Sequence, residues 1–132
     1  MVERWGVHSV LLVSTLVHDV DHNGLNNNFH INSQSPLAVL YNDISVLENH
    51  HCSFAAKLIA RTENNILANM DTETQKTARS LMIQCILSTD MSTHFDVTNK
   101  FKLKVEGKQF SKELPEDRQS MMNFLMHAAD LS

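Results

Sequence analysis

Four short clusters in this chain carry side chains of the kinds that bind metal ions or transfer protons. The first is the run His18-Asp19-Val20-Asp21-His22, which holds four ionisable residues within five positions. An adjacent imidazole and carboxylate can turn towards one cation, and a carboxylate can also bridge two cations. Paired cations stabilise the attacking and leaving oxygens of a phosphoryl displacement. The run therefore indicates a metal site, and a helix C-terminus with solvated charge is the alternative interpretation.

The other three clusters each have an ordinary structural explanation when they are taken singly. Ser45 to Glu48 has the form of a capping box, in which the glutamate needs no metal. The His50-His51 pair that follows could consist of core residues with satisfied ring nitrogens. The run Thr89-Asp90-Met91-Ser92 could cap a helix through its aspartate or its serine. The last cluster, His127-Ala128-Ala129-Asp130, means little by itself.

The composition favours one helical domain or a part of one. The chain has 132 residues, of which 42% are hydrophobic, and it contains only three Gly and two Pro. A net charge of -4 offers no electrostatic basis for binding nucleic acid or an anionic membrane. The longest apolar run, Val10 to Val17, is too short to span a bilayer. Cys52 and Cys85 fit no metal spacing and are expected to be buried free thiols.

The apolar periodicity predicts an all-α fold, with no convincing alternating strand. The first helix, about Trp5 to Asp19, is apolar nearly all round and is expected to be central and buried. An Asn- and Gly-rich loop, 23–28, should follow it. One later helix is expected to stop at Gly107. The other helix starts are expected near Pro36 after Ser35, the capping boxes at Ser45 and Thr72, Ser92, and Pro115.

Together and in this order, the four clusters resemble the catalytic domain of the class I 3',5'-cyclic nucleotide phosphodiesterases. The resemblance also includes Asn27-Asn28-Phe29 and the stretch 37–43, and it covers nearly the whole chain. It implies a compact multi-helix domain that hydrolyses cyclic AMP or cyclic GMP to the 5'-nucleotide in signalling. The stretches 27–31 and 40–51 look most like the calmodulin-stimulated class, although Val20-Asp21 differs from that class and no calmodulin-binding segment is present.

The resemblance also implies a two-metal site. His18, Asp19 and Asp130 match three ligands of the tighter site, which is usually assigned as zinc. Asp19 further matches the ligand that bridges to a second ion, usually magnesium, with manganese as an alternative. A hydroxide bridging the two ions would then attack phosphorus, and His22 matches the histidine beside the phosphate and that hydroxide. These matches make Asp19 and His22 the expected catalytic residues.

Four further residues match the surroundings of that site. Glu48 and Thr89 match groups that act on the second ion largely through bound water. Asn27 and Met91 match positions in the wall of the substrate pocket. Glu48 is thus expected both to cap a helix and to orient a water molecule.

Several parts of the family's pattern are missing from residues 1–132. The upstream motif would supply two histidines, one a metal ligand and the other the general acid. His8 cannot replace them, because ten helical residues place it about 15 Å from His18. The downstream glutamine and aromatic residue that clamp the purine are absent as well. We therefore expect a partial catalytic domain, truncated at both ends, whose isolated chain is inactive or very poorly active.

Other interpretations remain at this stage. The chain could be a non-catalytic truncated partner of a full-length phosphodiesterase, or a generic His-Asp metallophosphohydrolase acting on another phosphate ester. A homodimer is possible, and calmodulin could regulate a longer parent protein. A cytoplasmic location is the default expectation, because no secretory signal pattern is visible.

Overall fold

The computed structural model describes residues 7–131, apart from the side chain of Val7, so the predicted helix start near Trp5 lies outside the described residues. The described range contains seven α-helices and no strand, which confirms the all-α prediction. Two 3₁₀ segments, Thr62–Asn64 and Met91–Thr93, lie between helices. The helices are α1 (Val7–Val17), α2 (Asn27–Asn32), α3 (Pro36–Leu40), α4 (Val46–Ile59), α5 (Thr72–Leu87), α6 (His94–Glu106) and α7 (Pro115–Asp130).

Helix α5 lies at the centre of the fold and packs against α1, α4 and α7. Three of these helices and the loop before α5 form the main buried cluster. Burial of each large apolar side chain in such a cluster stabilises the fold by about 1.5–3 kcal/mol. This packing also brings the end of α1 beside the end of α7. The cluster consists of Val10, Leu67, Ala78, Met82, Cys85, Met122 and Met126.

Helix α1 is less enclosed than the sequence pattern predicts. Val10 and Ser14 are buried, but Leu12 is 70% exposed and Leu16 is 83% exposed. Among the described residues only α5 and α7 make extensive contact with α1, and they cover one side of it. The prediction of a helix buried all round is therefore wrong for this structure. No helix in the described range is both long enough and apolar enough to cross a bilayer.

Helices α6 and α7 form an antiparallel pair. The loop between them closes when the backbone N–H of Ser111 donates to Asp117 Oδ2 at 2.9 Å. The buried Asp117 carboxylate also forms an ion pair with Lys104. Three side-chain pairs across the two helices define their register: Lys104 with Asp117, Phe101 stacked on Phe124, and His94 against His127.

Several predicted helix ends are confirmed. Ser35 Oγ accepts a hydrogen bond from the backbone N–H of Ala38, and Pro36 is the first residue of α3. Helix α7 begins at Pro115, and α6 ends directly before Gly107. These positions follow from fixed backbone chemistry, because proline lacks the N–H that a first helical turn leaves unpaired.

The local predictions for two segments, 23–28 and 71–75, are wrong. The Asn-rich segment is not wholly a loop, because α2 begins at Asn27 after Asn26 Oδ1 accepts from the backbone N–H of Phe29. The predicted box at Thr72 is displaced by one residue. Asp71 is the N-cap of α5, and its Oδ1 accepts from the backbone N–H of Thr74 at 2.9 Å. Aspartate and serine-type caps compete for the same amide groups, so neighbouring candidates are hard to separate by pattern.

Candidate functional site

His18 lies in the turn that follows α1, where its ring is held between the backbone and two carboxylates. Its Nδ1–H donates to the carbonyl oxygen of Thr15 at 2.8 Å. Its Nε2 lies 3.0 Å from Asp130 Oδ1 and 3.9 Å from Asp19 Oδ2. The residues predicted as metal ligands are thus brought together from opposite ends of the chain, across 112 positions.

The chemistry of this donor set fits a divalent cation. Ligand atoms of His18, Asp19 and Asp130 all lie within 4.8 Å of one another. A metal-binding histidine commonly donates its second ring N–H to a carbonyl, as His18 does, and its other nitrogen, Nε2, faces the two carboxylates. Burial of the ring opposes protonation, but the Thr15 carbonyl and the two carboxylates outweigh it and raise the pKa of His18. The same negative surroundings would favour a bound cation.

Asp19 also faces a second histidine, which the sequence interpretation did not single out. His51 is buried, its Nδ1–H donates to the carbonyl of Val20 at 2.8 Å, and its Nε2 lies 3.7 Å from Asp19 Oδ1. Desolvation lowers the pKa of His51, with smaller effects from neighbouring histidines. The two oxygens of Asp19 thus point to different imidazoles, as a bridging carboxylate requires. The spacing from Glu48 to His51, one helical turn, was the available signal.

His22 lies beside this arrangement, with its ring stacked on His51 at a centroid distance of 5.7 Å. The backbone N–H of Gly24 donates to His22 Nδ1 at 2.9 Å, so the proton of a neutral ring is on Nε2. Gly24 has φ of 81°, a conformation that glycine adopts without strain. Asp19, His22 and His51 form a second group whose ligand atoms lie within 4.8 Å of one another.

The start of α4 differs from the predicted capping box. Ser45 precedes the helix with φ of 40° and makes no side-chain cap. Its hydroxyl donates to Asp90 Oδ2 at 2.7 Å. Asn27 caps α4 instead, through Oδ1, which accepts from the backbone N–H of Leu47 at 2.9 Å. The Nδ2 of the same amide donates to Glu48 Oε2 at 2.9 Å. The expected pocket-wall residue therefore also holds the helix that carries Glu48.

Glu48 and Thr89 both line the cleft beside Asp19. Burial raises the pKa of Glu48, against the hydrogen bond from Asn27, which favours the charged form. The hydroxyl of Thr89 donates to the carbonyl of Ile86 at 2.8 Å, so its oxygen keeps lone pairs for a further donor. Burial disfavours charge on Asp90, but hydrogen bonds from Ser45 and Ser92 outweigh it and lower the pKa.

A cleft of about 1040 Å³ unites most of the predicted site. Met91 lies at its edge and is 56% exposed. His18 is the one predicted residue that does not line the cleft, and it reaches the site through Asp130. The predicted residues in the lining are Asp19, His22, Asn27, Glu48, Thr89, Met91 and Asp130.

The fold and this site define an all-α protein whose histidines and carboxylates meet beside a cleft. The chain belongs to the 3'5'-cyclic nucleotide phosphodiesterase family, whose match spans residues 8–132. It is 43% identical over 122 residues to the 3',5'-cyclic-nucleotide phosphodiesterase regA of Dictyostelium discoideum. It is 46% identical over 104 residues to the mouse high affinity cGMP-specific 3',5'-cyclic phosphodiesterase 9A. These alignments include 92% and 79% of this chain.

The fold is similar to a solved phosphodiesterase domain as well. The phosphodiesterase domain of the RhoPDE fusion protein from the choanoflagellate Salpingoeca rosetta superposes with a TM-score of 0.90 at 41% identity. The superposition covers 94% of this chain and 40% of that domain. The chain spans 15% of regA and 20% of the mouse relative. It therefore corresponds to one portion of these longer proteins.

Proposed function

We propose that this chain carries the metal-binding centre of an enzyme that hydrolyses 3',5'-cyclic AMP, cyclic GMP or both to the 5'-nucleoside monophosphate. The observation that carries the proposal is the meeting of His18, Asp19 and Asp130 at 3.0–3.9 Å beside the cleft. Three ligands from two distant chain segments, next to a cavity, are what a catalytic metal site with an open position requires. The names of the relatives, which act on cyclic nucleotides, support the substrate class.

Zinc fits the site that contains His18, because it binds imidazole and carboxylate together. Magnesium or manganese fits a second position on the cleft side of Asp19, where Glu48 and Thr89 add oxygen atoms to the lining. When bound, such cations neutralise phosphate charge and lower the pKa of a coordinated water. Asp19 would contribute to holding both cations, because it belongs to both donor groups.

The remaining residues would bind and orient the reactants. His22, whose neutral ring carries its proton on Nε2, would donate a hydrogen bond to an oxygen near phosphorus. Glu48 and Thr89 would accept hydrogen bonds from water and fix its direction. Asn27 and Met91 would form part of the wall beside the nucleotide. The proton for the leaving oxygen would come from outside this set, as the resemblance implies.

We also propose that the chain is the central part of a longer catalytic domain and has little or no hydrolytic activity alone. Two free thiols support a reducing compartment such as the cytoplasm. A homodimer stays a prediction, as does control of a longer parent protein by calmodulin. A mass measurement on the native protein, by an antibody to this segment, tests the domain proposal. A species much heavier than 15.0 kDa is expected, and one at 15.0 kDa would favour a non-catalytic partner.

A chimera tests the activity. Residues 8–132 replace the matching segment of the choanoflagellate phosphodiesterase domain, and hydrolysis of cyclic AMP, cyclic GMP and a generic phosphodiester is measured. We expect hydrolysis of a cyclic nucleotide in preference to the generic ester. Asp19→Asn should abolish it, whereas Asp43→Asn, a cleft carboxylate outside the metal group, should retain it. A folded chimera that is inactive, or that is indifferent to Asp19→Asn, would contradict the proposal.

A further inference from the structure

A second concave surface lies away from the catalytic cleft, between α4 and α5. It is a groove of about 230 Å³ whose wall is mainly aliphatic. This volume is just below the range of about 300–1,000 Å³ that is usual for ligand pockets, which suits a slender ligand better than a multi-ring one. The small side chains of Ala55 and Ala56 on α4 leave the space that the groove occupies.

The groove is held open by polar contacts at one end. Gln75, which also lines it, donates from Nε2 to the backbone carbonyls of Leu67 and Met70 at 3.1 and 2.9 Å. These bonds tie the loop before α5 to the helix itself. Leu67 is 8% exposed and belongs to the main core cluster. The floor of the groove is therefore continuous with the rigid part of the fold.

The charged residues that line the groove are both basic. Lys76 and Arg79 lie one turn apart on α5, and no aspartate or glutamate is in the lining formed by the described residues. Lys76 pairs with Glu73 at 2.8 Å, but both side chains are exposed, so the pair contributes little. Within the described range Arg79 forms no salt bridge. The groove is thus cationic at its rim, although the chain as a whole has a charge of -4.

From this arrangement we propose that the α4–α5 groove binds a single-chain amphiphile with an anionic head, such as a medium-chain carboxylate. The aliphatic tail lies along Ala55, Ala56 and Ile83, and the carboxylate pairs with the guanidinium of Arg79. A planar guanidinium matches a carboxylate through two parallel hydrogen bonds. This site is separate from the cyclic nucleotide cleft and does not depend on the proposed hydrolysis.

Titration calorimetry with sodium decanoate on the full chain tests the site. We expect saturable binding of one decanoate per chain, with decanol at least roughly tenfold weaker because it lacks the charge. Arg79→Glu should weaken decanoate roughly tenfold or more. Arg61→Glu makes the same change of charge on an exposed residue near the end of α4 that does not line the groove, and it should have no effect.

Two further measurements keep the test decisive. Ala56→Phe should fill the groove and abolish binding, with circular dichroism as the check on folding. In the unchanged protein, decanoate should slow labelling of the groove residue Cys52 by a thiol reagent, while Cys85 is fully buried and stays silent. Burial raises the pKa of Cys52 to about 11, so labelling is followed at alkaline pH.

Several results would overturn the proposal. Equal affinity for decanoate and decanol would remove the role of Arg79, as would an unchanged affinity in Arg79→Glu. Absence of saturable binding, or of protection at Cys52, would remove the site altogether. A concentration-dependent dimer that Ala56→Phe abolishes would assign the groove to a second copy of the chain instead.

Discussion

Asn27 and Glu48 are joined by a hydrogen bond of 2.9 Å, and the same amide of Asn27 caps the helix that carries Glu48. Asn27, on α2, therefore caps α4, whereas Ser45, the residue directly before α4, does not. The geometry of the proposed water-binding carboxylate thus depends on a contact between two helices.

Replacement of Asn27 should test this coupling. Asn27→Ala removes both hydrogen bonds and leaves the backbone N–H of Leu47 without its partner. We expect the free energy of unfolding to fall by about 0.5–2 kcal/mol, the usual cost of losing an N-cap. Asn28→Ala, on an exposed neighbour in the same helix, should change it by less than about 0.5 kcal/mol. Urea denaturation of the two variants measures the difference, and equal stabilities would contradict the capping role.

Ionised Glu48 should lower the stability of the fold, although it is expected to orient water in the site. Its pKa is raised by burial, so the folded state binds a proton more tightly than the unfolded state does. Stability is therefore expected to decline as the pH rises through the interval between the unfolded and the folded pKa. Glu48→Gln removes this ionisation and keeps an acceptor for Asn27. A higher melting temperature at neutral pH, without added metal, is the expected result, and a lower one would count against it.

Zinc binding should depend on His18 and Asp130 together. Substitution of partners that merely orient metal ligands costs roughly 10–100-fold in affinity, so loss of a direct ligand should cost more. We expect His18→Ala and Asp130→Asn each to weaken zinc binding by at least roughly a hundredfold in a competitive chelator titration. Asp43→Asn is the matched control, because it removes a cleft carboxylate outside the group. Equal losses in all three variants would show non-specific attraction.

The affinity for zinc should fall in mildly acidic solution. A proton on His18 competes with the metal for Nε2, and the pKa of His18 is raised. Apparent affinity should therefore begin to decline at a pH above 6.5, the usual value for histidine, and continue to decline on acidification. The stability of the metal-free protein should change with pH in the opposite direction. Because the folded pKa of His18 is raised, His18 stabilises the fold at low pH, and this contribution is lost as the pH rises through its folded pKa. A zinc affinity that is flat between neutral and mildly acidic pH would disagree.

A further prediction concerns the packing of α7 in the hydrophobic core. Met122 is 1% exposed and belongs to the main cluster, so Met122→Ala should lower the free energy of unfolding by about 2–5 kcal/mol. Leu125 lies one turn further along α7 and is 43% exposed. Leu125→Ala should cost far less, which denaturant unfolding of both variants would reveal. Similar costs would mean that α7 packs through a different face.

Much of the fold could be predicted from the sequence, because several helix starts and ends depend on single residues. Proline at a first helical position and glycine after a last one act through single residues. Helices α3 and α7 accordingly begin, and α6 ends, at the expected residues. The family could be recognised because the four polar clusters occur in a fixed order along the chain. The cap of α4 could not be predicted in this way. Asn27 on α2 accepts from the first turn of α4, whereas the hydroxyl of Ser45 donates to Asp90, and these are tertiary contacts.

Part of the candidate site could also be predicted from these clusters. His18, Asp19 and Asp130 were expected together from the resemblance, and the structure brings them together. His51 was left as a core residue, because its spacing of one turn from Glu48 does not show that its Nε2 faces Asp19. The exposure of Leu12 and Leu16 was missed since an apolar sequence does not state which faces neighbouring helices cover.

The distance of 112 positions between His18 and Asp130 has a thermodynamic consequence. An ion held by both residues would bind only when α1 and α7 are packed side by side, so occupancy and folding would be linked by mass action. At a free ion concentration of a hundred times the dissociation constant, this linkage is worth about 2.7 kcal/mol. The metal would then act as a cross-link that spans nearly the whole chain, and a chelator would act as a denaturant.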